Sequence, residues 1–435
     1  MAQAWIQPDR PRITYSGLFL AGALLAFPIV AAFVAAASPR LGALQHRTPA
    51  VLAANHLVTL GWGTMIALGA LHQLLPAAAG VRHEPGRMVA AQFVVHLTGV
   101  ILLAAGFWHQ TAAVYVTGGI AVVLSVLASA ATALWVLRRR RRWDEILLFI
   151  SAALVCLVLV VLWGLTLALN LRYTFWPALL RPMGLTVHLT LGLLGWFGFL
   201  ITGVSYYLLQ RFTTRRTLAG SRPKLVFGLL AAAVGSLLAG AFTSPLLVRA
   251  GLAASGAAGL VYVQDVRRFV GAWSRARDIT RLHWRLLIVE TFVLSVGLIA
   301  YAAGILPGPA GRWAVAGVTL FLTGWVTLAI TGQAYKVTPF LMWYYRFALG
   351  MPAYDVPRLD APYWPRGALP AVLFMALAGP LMSAGILAGA PAVSAAGGAA
   401  LFLGSCVFSY LLGYSWLPRL LRTIGGAGGS RPGPG

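Results

Sequence analysis

The chain has 435 residues, of which 60% are hydrophobic and 10% are charged, and its mean hydropathy is +0.82. Soluble globular domains are far less apolar, so this composition excludes a soluble enzyme or a soluble binding domain. The net charge of +24 is spread between apolar segments in a pattern that favours a membrane protein over one that binds nucleic acid.

Twelve apolar segments follow one another along the chain, and each is long enough to cross a bilayer as a helix. The chain from 1 to 435 is therefore predicted to be a single all-α integral membrane domain whose immediate partner is the lipid bilayer. Residues 423–435, which are rich in Gly, Ser and Pro, are predicted to form a disordered tail. The predicted spans are 14–38, 50–76, 89–110, 113–137, 146–170, 183–210, 225–243, 247–266, 284–304, 313–335, 368–388 and 392–416.

The basic residues predict the orientation of these spans. When the run Arg138–Arg142 is assigned to the cytoplasm, 27 of the 33 Lys and Arg residues lie in cytoplasmic segments. This distribution obeys the positive-inside rule and predicts a multi-pass protein of a prokaryotic plasma membrane with both termini in the cytoplasm. The six basic residues on the outer side are Arg40, Arg47, Arg172, Arg181, Arg249 and Arg312.

A tryptophan motif occurs three times, in the second, sixth and tenth predicted spans. It consists of the Gly-Trp pairs at Trp62, Trp196 and Trp325, each followed seven residues later by a glycine. The tryptophans are 134 and 129 residues apart, so the motif predicts three four-helix repeats at about 14–142, 143–280 and 281–422. Three equivalent helices that cross in the same direction suggest arcs around a pseudo-threefold axis.

Two of the three motif helices carry a histidine before the tryptophan. His56 lies six residues before Trp62, and His188 lies eight residues before Trp196. The offset of two residues rotates one histidine by roughly 160° relative to the other, so the two can face each other across a shared space. Two imidazoles at similar depth are what a haem with two axial histidines requires, whereas the alternative is a pair of interfacial histidines bonded to nearby loops.

Three further ionisable residues are candidates of lower rank. His96, in the third span, is a possible additional metal ligand. His283 and Glu290 lie seven residues apart on one face of the ninth span, and Glu290 is the only carboxylate well inside a predicted span. Such a carboxylate indicates a proton path, whereas the alternative is an ion pair with Arg285 or another basic residue.

The segment Asn55–Pro76 resembles the histidine-bearing helix of haem–copper oxidase subunit I. The likeness rests on His-x-x-x-Leu-Gly-Trp followed by Gly-Ala-Leu-x-x-Leu-x-Pro, and it is greatest with the cytochrome-c-dependent oxidase and nitric oxide reductase branches. The resemblance implies twelve helices in three arcs of four, both termini inside, and haem in the outer half of the membrane. It also implies that His56 ligates a haem and that His188 lies on a ligand-bearing helix.

The chain departs from that family at the oxygen-reducing centre. Its tenth span has Gly317-Val-Thr319 where the family has a His-x-His pair, and the copper-ligating histidines near the seventh span are absent. Copper in the family's usual site is therefore not expected, and the resemblance implies a divergent member with a haem b. Arg181, about 10 Å outward of His188 by helix rise, and Arg47 are candidate partners of the haem propionates.

The candidate residues favour one function and leave two alternatives open. The leading function is a haem b protein that transfers electrons or binds a diatomic gas (O2 or NO), and any catalysis would make it an oxidoreductase with a protein or quinone redox partner. The first alternative is a membrane transporter or chaperone for haem, copper or a small solute. The second is a structural subunit of a respiratory complex.

Overall fold

A computed structural model describes residues 15–81, 86–140, 143–180, 182–212, 222–271, 278–343 and 367–425. These residues form helices joined by short connections and contain no strand. As predicted, twelve helices among these residues are long and apolar enough to cross a membrane. The helices are α1 (Ser16–Gly42), α2 (Pro49–Ala79), α3 (Arg87–Trp108), α4 (Ala112–Arg138), α5 (Glu145–Tyr173), α6 (Pro182–Arg211), α7 (Pro223–Phe242), α8 (Pro245–Gly271), α9 (Ile279–Ala303), α10 (Ala310–Thr338), α11 (Ala368–Ala388) and α12 (Pro391–Gly413).

Local sequence explains where several helices begin and end. The Asp144 carboxylate accepts a hydrogen bond from the Leu147 amide at 2.8 Å, which caps the start of α5. Asp278 caps α9 in the same way by accepting from the Thr280 amide at 2.9 Å. Gly304 ends α9 with a φ of +72°, a backbone conformation that glycine adopts without steric cost. The helix that includes α12 continues to Gly425, and the rest of the predicted tail lies outside the described residues.

Helices that are consecutive in the chain pack against each other, and α1 packs extensively against α12. The three motif helices have the largest buried shares, 67% for α2, 72% for α6 and 67% for α10, against at most 56% for any other span. They also contact one another. The motif helices therefore lie at the centre of the bundle, where their polar and ionisable groups are shielded from lipid.

The outer surface of the bundle is apolar, as contact with lipid tails requires. On α9, for example, Val289, Phe292 and Val293 are exposed. Small residues allow close approach between neighbouring helices, which is the usual packing device in membranes. A Cβ atom on Gly99 of α3 would lie 2.9 Å from the Val122 amide nitrogen of α4, so this crossing requires a glycine.

Candidate functional site

Each motif helix contains a π-helical segment at the Gly-Trp pair. The segments are Leu57–Thr64 in α2, Thr190–Gly198 in α6 and Leu320–Val326 in α10. A π-helical segment widens the helix locally and changes the direction in which side chains point, and it occurs frequently at functional sites. Hydropathy and residue spacing contain no signal for it, so sequence reasoning missed this feature.

The motif tryptophans are buried, and two of them join neighbouring helices. The indole N–H of Trp196 donates to the Thr64 hydroxyl of α2 at 3.0 Å. The indole N–H of Trp325 donates to the Thr291 hydroxyl of α9 at 2.8 Å. The ring of Trp62 instead stacks on Phe27 of α1, with ring centroids 4.1 Å apart. The motif tryptophans therefore connect α6 to α2, α10 to α9 and α2 to α1.

The structure brings His56 and His188 together. His56 immediately precedes the π-helical segment of α2, and His188 lies two residues before that of α6. Their ring centroids are 6.2 Å apart, and their planes are inclined by 34°. Both side chains are half-buried near the N-terminal ends of their helices, on the side of the bundle predicted to face outward.

Hydrogen bonding indicates which ring nitrogens are available. The Nδ1–H of His56 donates to the Leu52 carbonyl at 2.8 Å, so its Nε2 has a free lone pair. In the described part of the chain, Nδ1 of His188 is buried without a hydrogen-bond partner. A backbone carbonyl that holds one nitrogen of an imidazole is the usual support of a metal-ligating histidine, because it fixes the tautomer and the ring orientation.

The distance between the rings fits one shared metal atom. Because an imidazole nitrogen binds a metal ion at about 2 Å, two imidazoles on opposite sides of that ion have ring centres about 6 Å apart. The observed separation of 6.2 Å is close to this value. By this separation, His56 and His188 are candidates to hold one metal atom between them, either the iron of a haem or a bare metal ion.

Aromatic and small residues border the pair. The Phe107 ring of α3 lies 4.9 Å from the His56 ring and stacks on Tyr115 of α4 at 5.2 Å. On α5, a Cβ atom at Gly164 would lie 3.0 Å from Cε1 of His188, so the glycine leaves room for the imidazole. The surroundings are mainly apolar and favour neutral imidazoles, which is the protonation state that binds a metal.

The structure adds no support for Arg47 and Arg181 as partners of haem propionates. Arg47 is exposed in the connection between α1 and α2, and no ion pair involves it in the part of the chain that the structure describes. Arg181 lies outside the described residues.

His96 is placed as a support for the backbone of α2. It is fully buried, and its Nε2–H donates to the Leu60 carbonyl at 3.1 Å, inside the π-helical segment. Across the described ranges, no group of three His, Cys, Asp or Glu side chains forms a metal-binding cluster. This bond leaves Nδ1 as the ring nitrogen of His96 with a lone pair, and in the described part of the chain that atom is buried without a hydrogen-bond partner.

His283 and Glu290 both lie on the face of α9 that packs against α10. A Cβ atom on Gly332 would lie 2.7 Å from Cβ of His283, and one on Gly324 would lie 2.7 Å from Oε2 of Glu290. The alternative pairing of Glu290 with Arg285 is not seen, because Arg285 is exposed and neither Glu290 oxygen has a hydrogen-bond partner within the described segments.

A second carboxylate is buried inside a span, contrary to the expectation that Glu290 is alone. Asp265 of α8 is fully buried and accepts hydrogen bonds from the Tyr206 hydroxyl at 2.8 Å and from the Arg222 amide at 2.7 Å. Arg222 and Arg268 also pair with it at 3.6 and 3.7 Å. Sequence reasoning missed Asp265 because it lies one residue from the predicted end of its span, beside two arginines.

A scan against protein-family models and a search of the curated proteins found no match to this chain, so the geometry of the central helices is the evidence on function.

Proposed function

We propose that this protein is a multi-pass membrane protein that holds one haem b between His56 and His188 and transfers electrons. The observation that supports the proposal is the 6.2 Å separation of the two imidazole rings, which suits axial ligands on opposite sides of one iron atom. When bound, the haem supplies one-electron redox chemistry. The chain supplies the two ligands, their orientation and an environment with little water.

Electron transfer is favoured over gas binding because, with His56 and His188 both as ligands, a haem would have no coordination position open to a gas. The Leu52 carbonyl fixes the tautomer of His56 and makes its Nε2 a stronger ligand. Phe107 covers the same imidazole with an apolar ring, which limits access of water to the site. A protein or quinone redox partner follows from this role.

We propose further that the twelve helices form three repeats of four, as in a divergent relative of haem–copper oxidase subunit I. Corresponding contacts support the repeat. The second motif glycines Gly69, Gly203 and Gly332 are each contacted by a side chain of the preceding helix, and so are the glycines that precede the motif tryptophans of α6 and α10, Gly195 and Gly324. The contacting side chains are Phe19, Phe149 and His283 on the second glycines, and Cys156 and Glu290 on Gly195 and Gly324.

Optical spectroscopy tests the haem. Protein purified from cells with ample haem is expected to show a Soret band and a sharp α band on reduction, and His56→Ala or His188→Ala should change or abolish both. His109→Ala is the matched control, because His109 is an exposed histidine at the end of α3. Colourless wild-type protein, or unchanged spectra in both ligand variants, would contradict the proposal.

The same two imidazoles also suit a single cuprous ion, which favours copper transport as the second candidate. In that case the purified protein is colourless, binds one copper per chain, and loses the copper in either histidine variant. Copper uptake into vesicles that requires His56 and His188 would then replace the haem proposal. Uptake that is independent of both histidines would exclude this site from transport.

A further inference from the structure

Two buried ionisable groups on α9 lie outside the histidine pair and take no part in the proposed electron transfer. Glu290 is 6% exposed and His283 is 1% exposed. They are seven residues apart, which places them on the same face of the helix about 10 Å apart along its axis. His283 is nearer the end of α9 that is predicted to face the cytoplasm.

The carboxyl group of Glu290 has no partner in the described part of the chain. Neither oxygen accepts or donates a hydrogen bond, and the group lies against the backbone of Gly324 in the π-helical segment of α10. The nearby indole of Trp325 donates to Thr291 instead. An unpaired negative charge in such a place is costly, so the group is stable there only when it carries a proton.

Among the described residues, the helices around α9 provide no counter-charge at the depth of Glu290. The described residues of α11 contain no ionisable side chain. On α8 and α10, the ionisable groups lie towards the helix ends and mostly have other partners: Asp265 pairs with arginines, Lys336 pairs with Asp278, and Arg312 donates to the Ile386 carbonyl. The remaining ones are Arg249, Tyr262, Arg267 and Tyr335.

His283 has a free nitrogen on the route to the predicted cytoplasmic face. Its Nδ1–H donates to the Ile279 carbonyl at 3.0 Å, and its buried Nε2 has no hydrogen-bond partner among the described residues. At the start of α9, Asp278 and Lys336 form an ion pair of 2.5 Å, and the lysine side chain is 24% exposed. The face of α9 thus joins a solvent-accessible ion pair, a buried imidazole and a buried carboxyl.

Packing alone does not require ionisable side chains at these two positions. On α5, the two corresponding contacts with glycines of α6 are made by Phe149 and Cys156. His283 and Glu290 therefore contact α10 at the positions where the ring of Phe149 and the thiol of Cys156 contact α6. This difference favours a chemical role for the α9 pair.

We propose that Glu290 is a membrane-embedded proton-binding site that exchanges protons with the predicted cytoplasmic face by way of His283. The proton leaves the carboxyl as the group ionises and returns when the group is protonated again. Proton exchange between the carboxyl and Nε2 of His283 requires water to enter between α9 and α10, because the two groups are too far apart for a direct hydrogen bond. The site is independent of haem and is testable in haem-free protein.

Carbodiimide labelling tests the protonated carboxyl. Dicyclohexylcarbodiimide, an apolar reagent that reacts with protonated carboxyl groups, is expected to modify Glu290 in intact protein, and the yield should fall as the pH rises. Glu145, whose side chain is 34% exposed beside Lys224, should react instead with a water-soluble carbodiimide. Glu290→Gln abolishes the apolar label. Wild-type protein that is folded yet unlabelled at Glu290 at every pH would overturn the proposal.

Infrared spectroscopy after a pH jump tests the route. The carbonyl band of the protonated Glu290 should disappear when the pH rises. The band should be absent in Glu290→Cys, a variant that gives α9 the residue found at the corresponding position of α5, Cys156. His283→Phe likewise gives α9 the residue at the corresponding position of α5, Phe149. This variant should keep the band but slow its disappearance by about 100-fold, which is the low end of the effect of a positioned acid–base group. An unchanged rate would exclude His283 from the route.

Discussion

The indole of Trp196 donates a hydrogen bond to the Thr64 hydroxyl at 3.0 Å, and this bond joins α6 to α2 across the centre of the bundle. Thr64 is the last residue of one π-helical segment, and Trp196 lies within the next. His56 and His188 lie on the same two helices. The bond therefore helps to hold the distance between the two imidazoles.

Thr64→Val should destabilise the protein, because it leaves a buried indole N–H without an acceptor. The expected loss is about 1–3 kcal/mol in the free energy of unfolding. Thr64→Ser retains the acceptor and should lose much less. Thermal unfolding in one detergent measures both variants, and Thr59→Val is the control because its hydroxyl bonds within α2 to Asn55. Equal stability of the Val and Ser variants would refute a role for this bond.

His188→Gly should lose the haem spectrum and regain it when free imidazole is added. The substitution removes one proposed ligand and leaves a space of the size of the lost ring, which a small ligand can fill. Titration of the α band with imidazole measures the recovery. Added imidazole should leave the wild-type spectrum unchanged, because His56 and His188 would both already be ligands in the proposed site. A variant that keeps the wild-type spectrum without imidazole would show that His188 is not a ligand.

Gly203→Ala should destabilise the contact between α5 and α6, because the added methyl group would overlap with Phe149. An overpacked core site typically costs about 1–3 kcal/mol. Gly228→Ala is the matched control on α7, where no atom lies within 4 Å of the new methyl group. That control should be neutral or slightly stabilising, since alanine favours the helix more than glycine does. Chemical or thermal unfolding measures whether each variant is less or more stable than the wild-type protein.

The predicted orientation is testable at the two ends of one helix. Thr111 and Arg139 flank α4, and both are outside its helical core. In a background in which Cys156 and Cys406 are replaced by alanine, Thr111→Cys should react with an impermeant maleimide on intact cells. Arg139→Cys should react only after the membrane is permeabilised. The reverse pattern would invert the topology and place the histidine pair on the cytoplasmic side.

Hydropathy was sufficient to predict the twelve helices because the length of an apolar segment is a local property of the chain. It also located the break at Ser244-Pro245, where α7 and α8 are separate helices. The spacing of His56 and His188 from their tryptophans anticipated that the two rings could face each other. That estimate assumed regular α-helix, whereas the motif tryptophans lie in π-helical turns, so spacing alone could not yield the distance of 6.2 Å.

The remaining features depend on partners distant in sequence, which a single sequence does not identify. Asp265 lies one residue from the end of its predicted span, and its role as an acceptor depends on Tyr206 and Arg222, which are 59 and 43 residues away in the chain. His96 was a candidate ligand because it lies deep in α3, and only the fold shows that its donor reaches the Leu60 carbonyl. In both cases the residue type was informative, but its role depends on which helix lies opposite.

The packing of α1 against α12 has a consequence for biogenesis. The residues of α1 that face α12, including Ser38 opposite Gly398, are synthesised before the residues that they contact. They gain these contacts only after α12 has been inserted. A chain truncated before α12 would therefore leave this side of α1 without its neighbour, so an error late in synthesis would destabilise a helix that was made early.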